Sequence, residues 1–203
     1  EDRRDTTVDV LLLASRYLGF LGYALDRSSG RFRNFLGYDR RWLEVESSED
    51  CHGRALWALG AVLGRSSDEG LRGVAGKLFE ASLPAAVELQ GSRAWAFTIL
   101  GIHEYLKAFF GDRAAQNTGG LLADRLQELH RKNRSADWPW FEPSLTYNNA
   151  TLPHALLLAS QWLSRPDLAE IALESLTWLT SVQRANEGHF VPVGTQGWYP
   201  RGG

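Results

Sequence analysis

The chain has 203 residues, a hydrophobic fraction of 44% and a formal net charge of −2, which fit one domain with a core of its own. The charge argues against a nucleic-acid-binding surface or a basic membrane-binding face. The single cysteine, Cys51, excludes an internal disulfide and a cysteine-built zinc site, and no apolar run of about 18 residues predicts a membrane span. The first residues are too charged for a signal peptide, so we expect a cytoplasmic protein. The sequence has no metal-binding cluster or phosphate-cradling glycine motif, so we expect no metal or cofactor.

Helical periodicity recurs along the chain, whereas the alternation of a half-buried strand hardly occurs. Helix-capping residues and glycine stops mark the expected boundaries. The predicted helices cover residues 7–26, 50–64, 67–91, 92–111, 112–132, 149–163 and 166–183.

The second, fourth and sixth predicted helices are rich in small residues and almost uncharged in their middles. Helices that are apolar all round are buried on every side, whereas the third, fifth and seventh carry charges on one face. The alternation predicts an all-α fold, an array of α/α hairpins that either closes into a toroid or extends as a solenoid. We interpret residues 1–203 as a single domain of about seven helices arranged in such an array.

Three irregular segments mix aromatic residues with arginine, asparagine and acidic side chains: 28–49, 133–148 and 184–203. The first two directly precede inner helices, so in a toroid they would gather at one end, where a pocket would form. The third lies where a further inner helix should begin, and the chain contains no methionine. We therefore expect a piece of a longer protein, incomplete at its C-terminal end.

Two stretches, residues 48–60 and 137–153, resemble the six-hairpin (α/α) toroid superfamily, which includes glycoside hydrolases and sugar epimerases. More narrowly, they are similar to a bacterial group of such domains that is often attached to glycosyltransferases. The resemblance implies that the array is a partial (α/α)6 toroid. It also implies a carbohydrate-active domain with a carbohydrate ligand, and a glycosyltransferase domain in the same protein as a partner.

Sugar rings present apolar C–H faces and many hydroxyl groups, so their sites combine flat aromatic side chains with polar groups. The segment 137–149 is the densest such cluster in the chain. Alternatively, Trp138 plugs a helix junction and Asn148 caps the sixth helix. The predicted ligand-binding residues are Arg54, Asp137, Trp138, Trp140, Tyr147, Asn148 and Trp198.

Glycoside cleavage uses two carboxyl groups, about 5–5.5 Å apart for retention and about 6.5–9.5 Å apart for inversion of configuration. Asp50 opens the second predicted helix, and Glu142 lies in the segment before the sixth. We prefer this pair because each residue is at the mouth of an inner helix. His52 is the best-placed histidine for the acid–base chemistry of an epimerase. The structural alternatives are that Asp50 only caps its helix, that Arg54 pairs with an acidic neighbour, and that His52 is a core residue.

The sequence thus favours a carbohydrate-active enzyme domain of the glycoside hydrolase or sugar epimerase kind. The alternative is a non-catalytic sugar-binding or scaffolding domain beside a glycosyltransferase. A third possibility is a helical-repeat interaction module, in which the loop aromatics would be buried.

Overall fold

The computed structural model describes the backbone of residues 2–44 and 47–202 and the side chains of residues 10–44 and 47–202. Positions 45 and 46, inside the first predicted irregular segment, and position 203, at the end of the third, lie outside the described residues. The described part is all-α, as predicted. Its seven α-helices are α1 (Asp2–Ala24), α2 (Glu49–Arg65), α3 (Glu69–Ser82), α4 (Ser92–Leu106), α5 (Arg113–Asn133), α6 (Thr151–Leu163) and α7 (Pro166–Val182).

Short strands and one 3₁₀ helix complete the described elements. β1 (Leu25–Asp26) pairs antiparallel with β2 (Arg31–Phe32), and β3 (Ser144–Leu145) pairs antiparallel with β4 (Tyr199–Pro200). The third predicted helix is shorter than expected, because α3 ends at Ser82 and the chain continues as a 3₁₀ helix over Leu83–Glu88 with a proline in its first turn. Proline lacks the N–H that an α-helix needs at that position.

The inner layer consists of α2, α4 and α6, which run parallel, while α3, α5 and α7 return on the outside. Two glycines allow α2 and α4 to approach closely: a Cβ at Gly60 would lie 2.1 Å from the Gly101 carbonyl oxygen, and one at Gly101 would lie 2.5 Å from the Leu56 oxygen. Only glycine fits such contacts. The small residues of the inner helices therefore serve backbone packing.

Burial of the inner helices differs from the prediction in one respect. Every residue of α4 is buried except His103, which is half-buried. In contrast, α2 exposes Arg54 and Trp57, and α6 exposes His154. The reason is position, because α4 has an inner helix on both sides, whereas α2 and α6 each contact only one.

The hairpins α2/α3, α4/α5 and α6/α7 form a continuous array, and α1 packs against α3 at one edge of it. Closure of this array into a toroid stays a prediction. Within the described residues, none of the helices has the length and apolar character that crossing a bilayer requires.

Candidate functional site

The N-terminal ends of the three inner helices lie together, and the irregular segments meet there. Tyr147 precedes α6, and its hydroxyl donates a hydrogen bond of 3.0 Å to Asp50 Oδ2 in the first turn of α2. The Glu49 carboxylate accepts hydrogen bonds from the backbone N–H groups of Gln90 and Gly91, just before α4. Strand β4 joins the third segment, residues 184–202, to the second through β3.

Arg93, in the first turn of α4, holds the second segment in place. It is only 5% exposed, and its five N–H groups are all used. Nε donates to the Tyr147 carbonyl at 2.9 Å, Nη1 to Ser92 Oγ at 3.1 Å and to Glu142 Oε1, and Nη2 to Thr146 Oγ1 at 2.8 Å and Asn149 Oδ1 at 3.3 Å. Sequence reasoning missed this residue, although a lone arginine in a nearly uncharged inner helix signals a buried partner.

Glu142 is the counter-ion of this arginine. Its Oε1 accepts from the Arg93 guanidinium and, at 2.6 Å, from the Ser92 hydroxyl. Asp50, in contrast, is partly exposed, with Tyr147 and Arg54 as its neighbours. The two carboxylates of the predicted catalytic pair thus belong to one contact network. Glu142 holds the loop through Oε1 and its side chain is 19% exposed, whereas that of Asp50 is 31% exposed.

His52 is fully buried beneath β2, with its ring centroid 5.7 Å from that of Phe32. Neither ring nitrogen has a hydrogen-bond partner among the described residues. Burial, as the largest effect, together with the positive charge of Arg31, lowers the pKa of His52 to about 4. A fully buried ring with a lowered pKa presents no surface to a substrate, so its surroundings do not support the predicted role as general acid–base.

Trp138 and Trp140 are also buried, so neither ring presents a surface to a ligand. The Trp138 Nε1 donates to the Glu142 carbonyl at 2.8 Å, and its ring packs edge-on against Trp178 at 4.7 Å. Trp140 packs edge-on against Phe141 at 5.3 Å. These rings pack between α5 and α7, which is the structural alternative considered above for Trp138 and also what a helical-repeat interaction module predicts for the loop aromatics.

Asp137 is exposed, but it does not line the cleft described below. Its carboxylate accepts from the Ser135 hydroxyl, which lowers the pKa of Asp137, and it lies 3.8 Å from Arg201. Its contacts join the second irregular segment to the third.

A cleft of about 330 Å³ lies between the second and third irregular segments. Three predicted residues line it, namely Tyr147, Asn148 and Trp198, with Tyr147 44% exposed and Trp198 38% exposed. The third segment adds an aromatic residue that sequence reasoning did not single out, Phe190. Further lining comes from Thr146, Asn149, Ala150, Thr151, Gln183, Pro192, Val193 and Thr195.

Two lining residues have a left-handed backbone, Asn148 with φ of 47° and Trp198 with φ of 55°. Asparagine tolerates this conformation, whereas a bulky aromatic residue rarely adopts it. Such strain costs about 1–3 kcal/mol and concentrates at functional sites. The pairing of the next residue, Tyr199, with Leu145 fixes Trp198 in this conformation.

On the other side of Tyr147, the exposed face of α2 presents Arg54 and Trp57. The Arg54 guanidinium lies 4.2 Å from the centroid of the buried Phe97 ring, and its Nη2 lies 3.7 Å from Asp50 Oδ2. Trp57 stacks on the same ring, with centroids 5.8 Å apart and planes at 15°. Sequence reasoning assigned Trp57 to a fully buried helix and so missed it.

No protein-family model matches this chain, and no curated protein matches it significantly. Among the described residues, no group of three or more histidine, cysteine, aspartate or glutamate side chains could hold a metal ion. The functional interpretation rests on the cleft and on the contacts around Tyr147.

Proposed function

We propose that this chain binds carbohydrate, without cleaving it, in the cleft lined by Tyr147, Asn148 and Trp198. The observation that carries the proposal is the lining of the cleft, which places partly exposed aromatic rings beside amide and hydroxyl groups. Aromatic rings stack on the C–H faces of sugars, and amides and hydroxyls bind their oxygens. The volume of the cleft falls at the lower end of the range of small-molecule sites.

The charge of the cleft supports a neutral ligand, such as a sugar, over a nucleotide. None of its lining residues carries a formal charge, so the cleft offers hydrogen bonds and apolar contact without ion pairing. Asn148, Gln183 and Thr195 supply the donors and acceptors, each of which can bind a hydroxyl group in either role.

The state of the predicted catalytic residues favours binding over turnover. Glycoside cleavage requires two available carboxyl groups, but Glu142 is engaged with Arg93 and Ser92. His52 has no exposed surface. A non-catalytic sugar-binding domain is also what the predicted glycosyltransferase in the same protein could use to hold its acceptor glycan.

Trp198→Ala tests the cleft. A sugar that covers about 60 Å² of the indole, at about 25 cal/mol per Å², gains about 1.5 kcal/mol. The variant should therefore weaken binding of the best glycan from an array about tenfold by calorimetry. Phe110→Ala is the matched control, since Phe110 is 83% exposed in the connection between α4 and α5, at the opposite end of the inner layer. Equal affinities of the wild type and Trp198→Ala would contradict the proposal.

Catalysis is tested on the same glycan by product analysis with the wild type and Asp50→Asn. The proposal predicts an unchanged glycan with both proteins. Conversion by the wild type that Asp50→Asn abolishes would instead establish the hydrolase or epimerase alternative.

A further inference from the structure

We propose that the face of α2 beside the cleft, formed by Asp50, Arg54 and Trp57, is a subsite for a sugar unit with an anionic group, a carboxylate or a phosphate. The inference rests on the proposed carbohydrate binding and specifies the class of sugar. Because Tyr147 both lines the cleft and bonds to Asp50, one glycan chain can reach from the neutral cleft across Tyr147 to this face.

Arg54 is held in position but makes no hydrogen bond to any described residue. Phe97, itself buried, supports one face of the guanidinium at 4.2 Å. The nearest carboxylate, Asp50, is 3.7 Å away, beyond hydrogen-bond distance. The side chain is 47% exposed. A planar guanidinium that is stacked on one side and has open N–H groups matches the geometry of a carboxylate or a phosphate.

Trp57 supplies the surface for the sugar ring itself. It lies three residues after Arg54, on the same side of α2. Phe97 covers one face of its indole, and the side chain is still 36% exposed. A sugar that stacks on the open surface of Trp57 can therefore direct its anionic substituent to Arg54.

Asp50 sets the strength of this preference. Its carboxylate accepts from Tyr147 and lies near the guanidinium, so it weakens the attraction of Arg54 for an anion and offers acceptors to sugar hydroxyls. Hydrogen bonds to charged groups are stronger than neutral ones, but exposure and the neighbouring carboxylate reduce the gain. We expect an anionic sugar to bind about tenfold more tightly than its neutral counterpart.

A purely structural role for Arg54 makes a different prediction. An exposed pair four residues apart on a helix contributes little to stability, and removing it would leave sugar selectivity unchanged. Selectivity, measured as a ratio of affinities, therefore separates the two roles even if the variant is slightly less stable.

The experiment compares matched ligands by calorimetry or ligand-observed NMR. The probes are short oligomers of galacturonate, glucuronate and mannuronate, the corresponding neutral oligomers of galactose, glucose and mannose, and the 6-phosphates of the three neutral monosaccharides with their parent sugars. The proteins are the wild type, Arg54→Gln, Arg54→Lys and, as control, Arg131→Gln, which removes an exposed arginine with a partner three residues away on α5.

In the wild type, at least one anionic ligand should bind about tenfold more tightly than its neutral counterpart, and this ratio should fall to about one in Arg54→Gln. Arg54→Lys should retain part of the ratio, and Arg131→Gln all of it. Whether the uronates or the phosphates show the preference identifies the natural group.

Equal affinities for anionic and neutral ligands, or a preference that survives in Arg54→Gln, would overturn the inference. If neutral glycans bind without such a preference and the binding is sensitive to Trp198→Ala, the proposed function stands and the subsite fails. If no glycan binds at all, both fail.

Discussion

Replacing Arg93 by methionine removes the donor that holds the segment between Glu142 and Asn149. The guanidinium is 5% exposed and donates five hydrogen bonds, one of them to its counter-ion Glu142. Removing one partner of a buried ion pair costs about 3–5 kcal/mol, because the other charge loses its compensation. Since the Glu142 side chain is 19% exposed, we expect a value at the lower end of this range. For a chain of this length, 1 kcal/mol shifts the melting temperature by about 2–4 °C. We therefore expect Arg93→Met to lower it by about 10 °C.

The measurement is thermal unfolding by calorimetry, combined with hydrogen exchange of residues 142–149. Arg93→Lys is the matched variant: it keeps the charge but loses the planar fork, so it should be destabilised less than the methionine variant. Glu142→Gln and the double variant Arg93→Met/Glu142→Gln complete a cycle, in which the double variant should be less destabilised than the sum of the single variants. A shift below about 2 °C for Arg93→Met, or additive effects, would refute the assignment of Arg93 as the residue that positions the loop.

Two further predictions concern the inner layer. Gly60→Ala should lower the free energy of unfolding by about 3 kcal/mol or more, because its Cβ would lie 2.1 Å from the Gly101 oxygen. Gly73→Ala in α3, with no atom within 4 Å of its Cβ, should stabilise the protein slightly. Equal urea unfolding midpoints for the two variants would contradict this prediction. The lowered pKa of His52, about 4 against about 6.5 unfolded, means that the unfolded chain binds this proton more tightly. The free energy of unfolding should therefore fall as the pH drops from about 6.5 to 4, by about 3 kcal/mol at the acid end. His52→Leu should lose that part of the pH dependence. Parallel plots of unfolding free energy against pH for the wild type and His52→Leu would refute this prediction.

The all-α fold could be predicted from the sequence, and the inner helices differ visibly from the outer ones. A small-residue stretch such as that around Gly60 indicates a closely packed helix, and in the structure Gly101 lies against Gly60. Helix ends were less predictable, since the third helix changes to a 3₁₀ helix after Ser82 where Pro84 interrupts the hydrogen-bond ladder. Pro84 is a visible signal for the change, but the apolar pattern continues across it and favours an unbroken helix.

The candidate site was predicted at the level of segments but only partly at the level of residues. Tyr147, Asn148 and Trp198 line the cleft, whereas the two most conspicuous residues of the same segment, Trp138 and Trp140, are core residues. A tryptophan in an aromatic-rich loop can face the core or a ligand, and only the path of the following chain decides which. The tail at 198–200 returns across β3 and stacks Tyr199 on Trp138, a long-range contact that local sequence cannot show.

Burial of those tryptophans is also what allows the exposed residues to be rigid. Trp138 donates to the Glu142 carbonyl, Glu142 accepts from Arg93, and Arg93 in turn holds the Tyr147 carbonyl. The chain of contacts thus runs from the core between α5 and α7 to the aromatic ring that separates the cleft from the Arg54 face. A ligand that contacts Tyr147 meets a side chain whose backbone is fixed and whose hydroxyl is bonded to Asp50, so less conformational entropy is lost on binding. For this reason Arg93→Met, which touches no ligand in either proposal, should weaken binding at both the cleft and the Arg54 face.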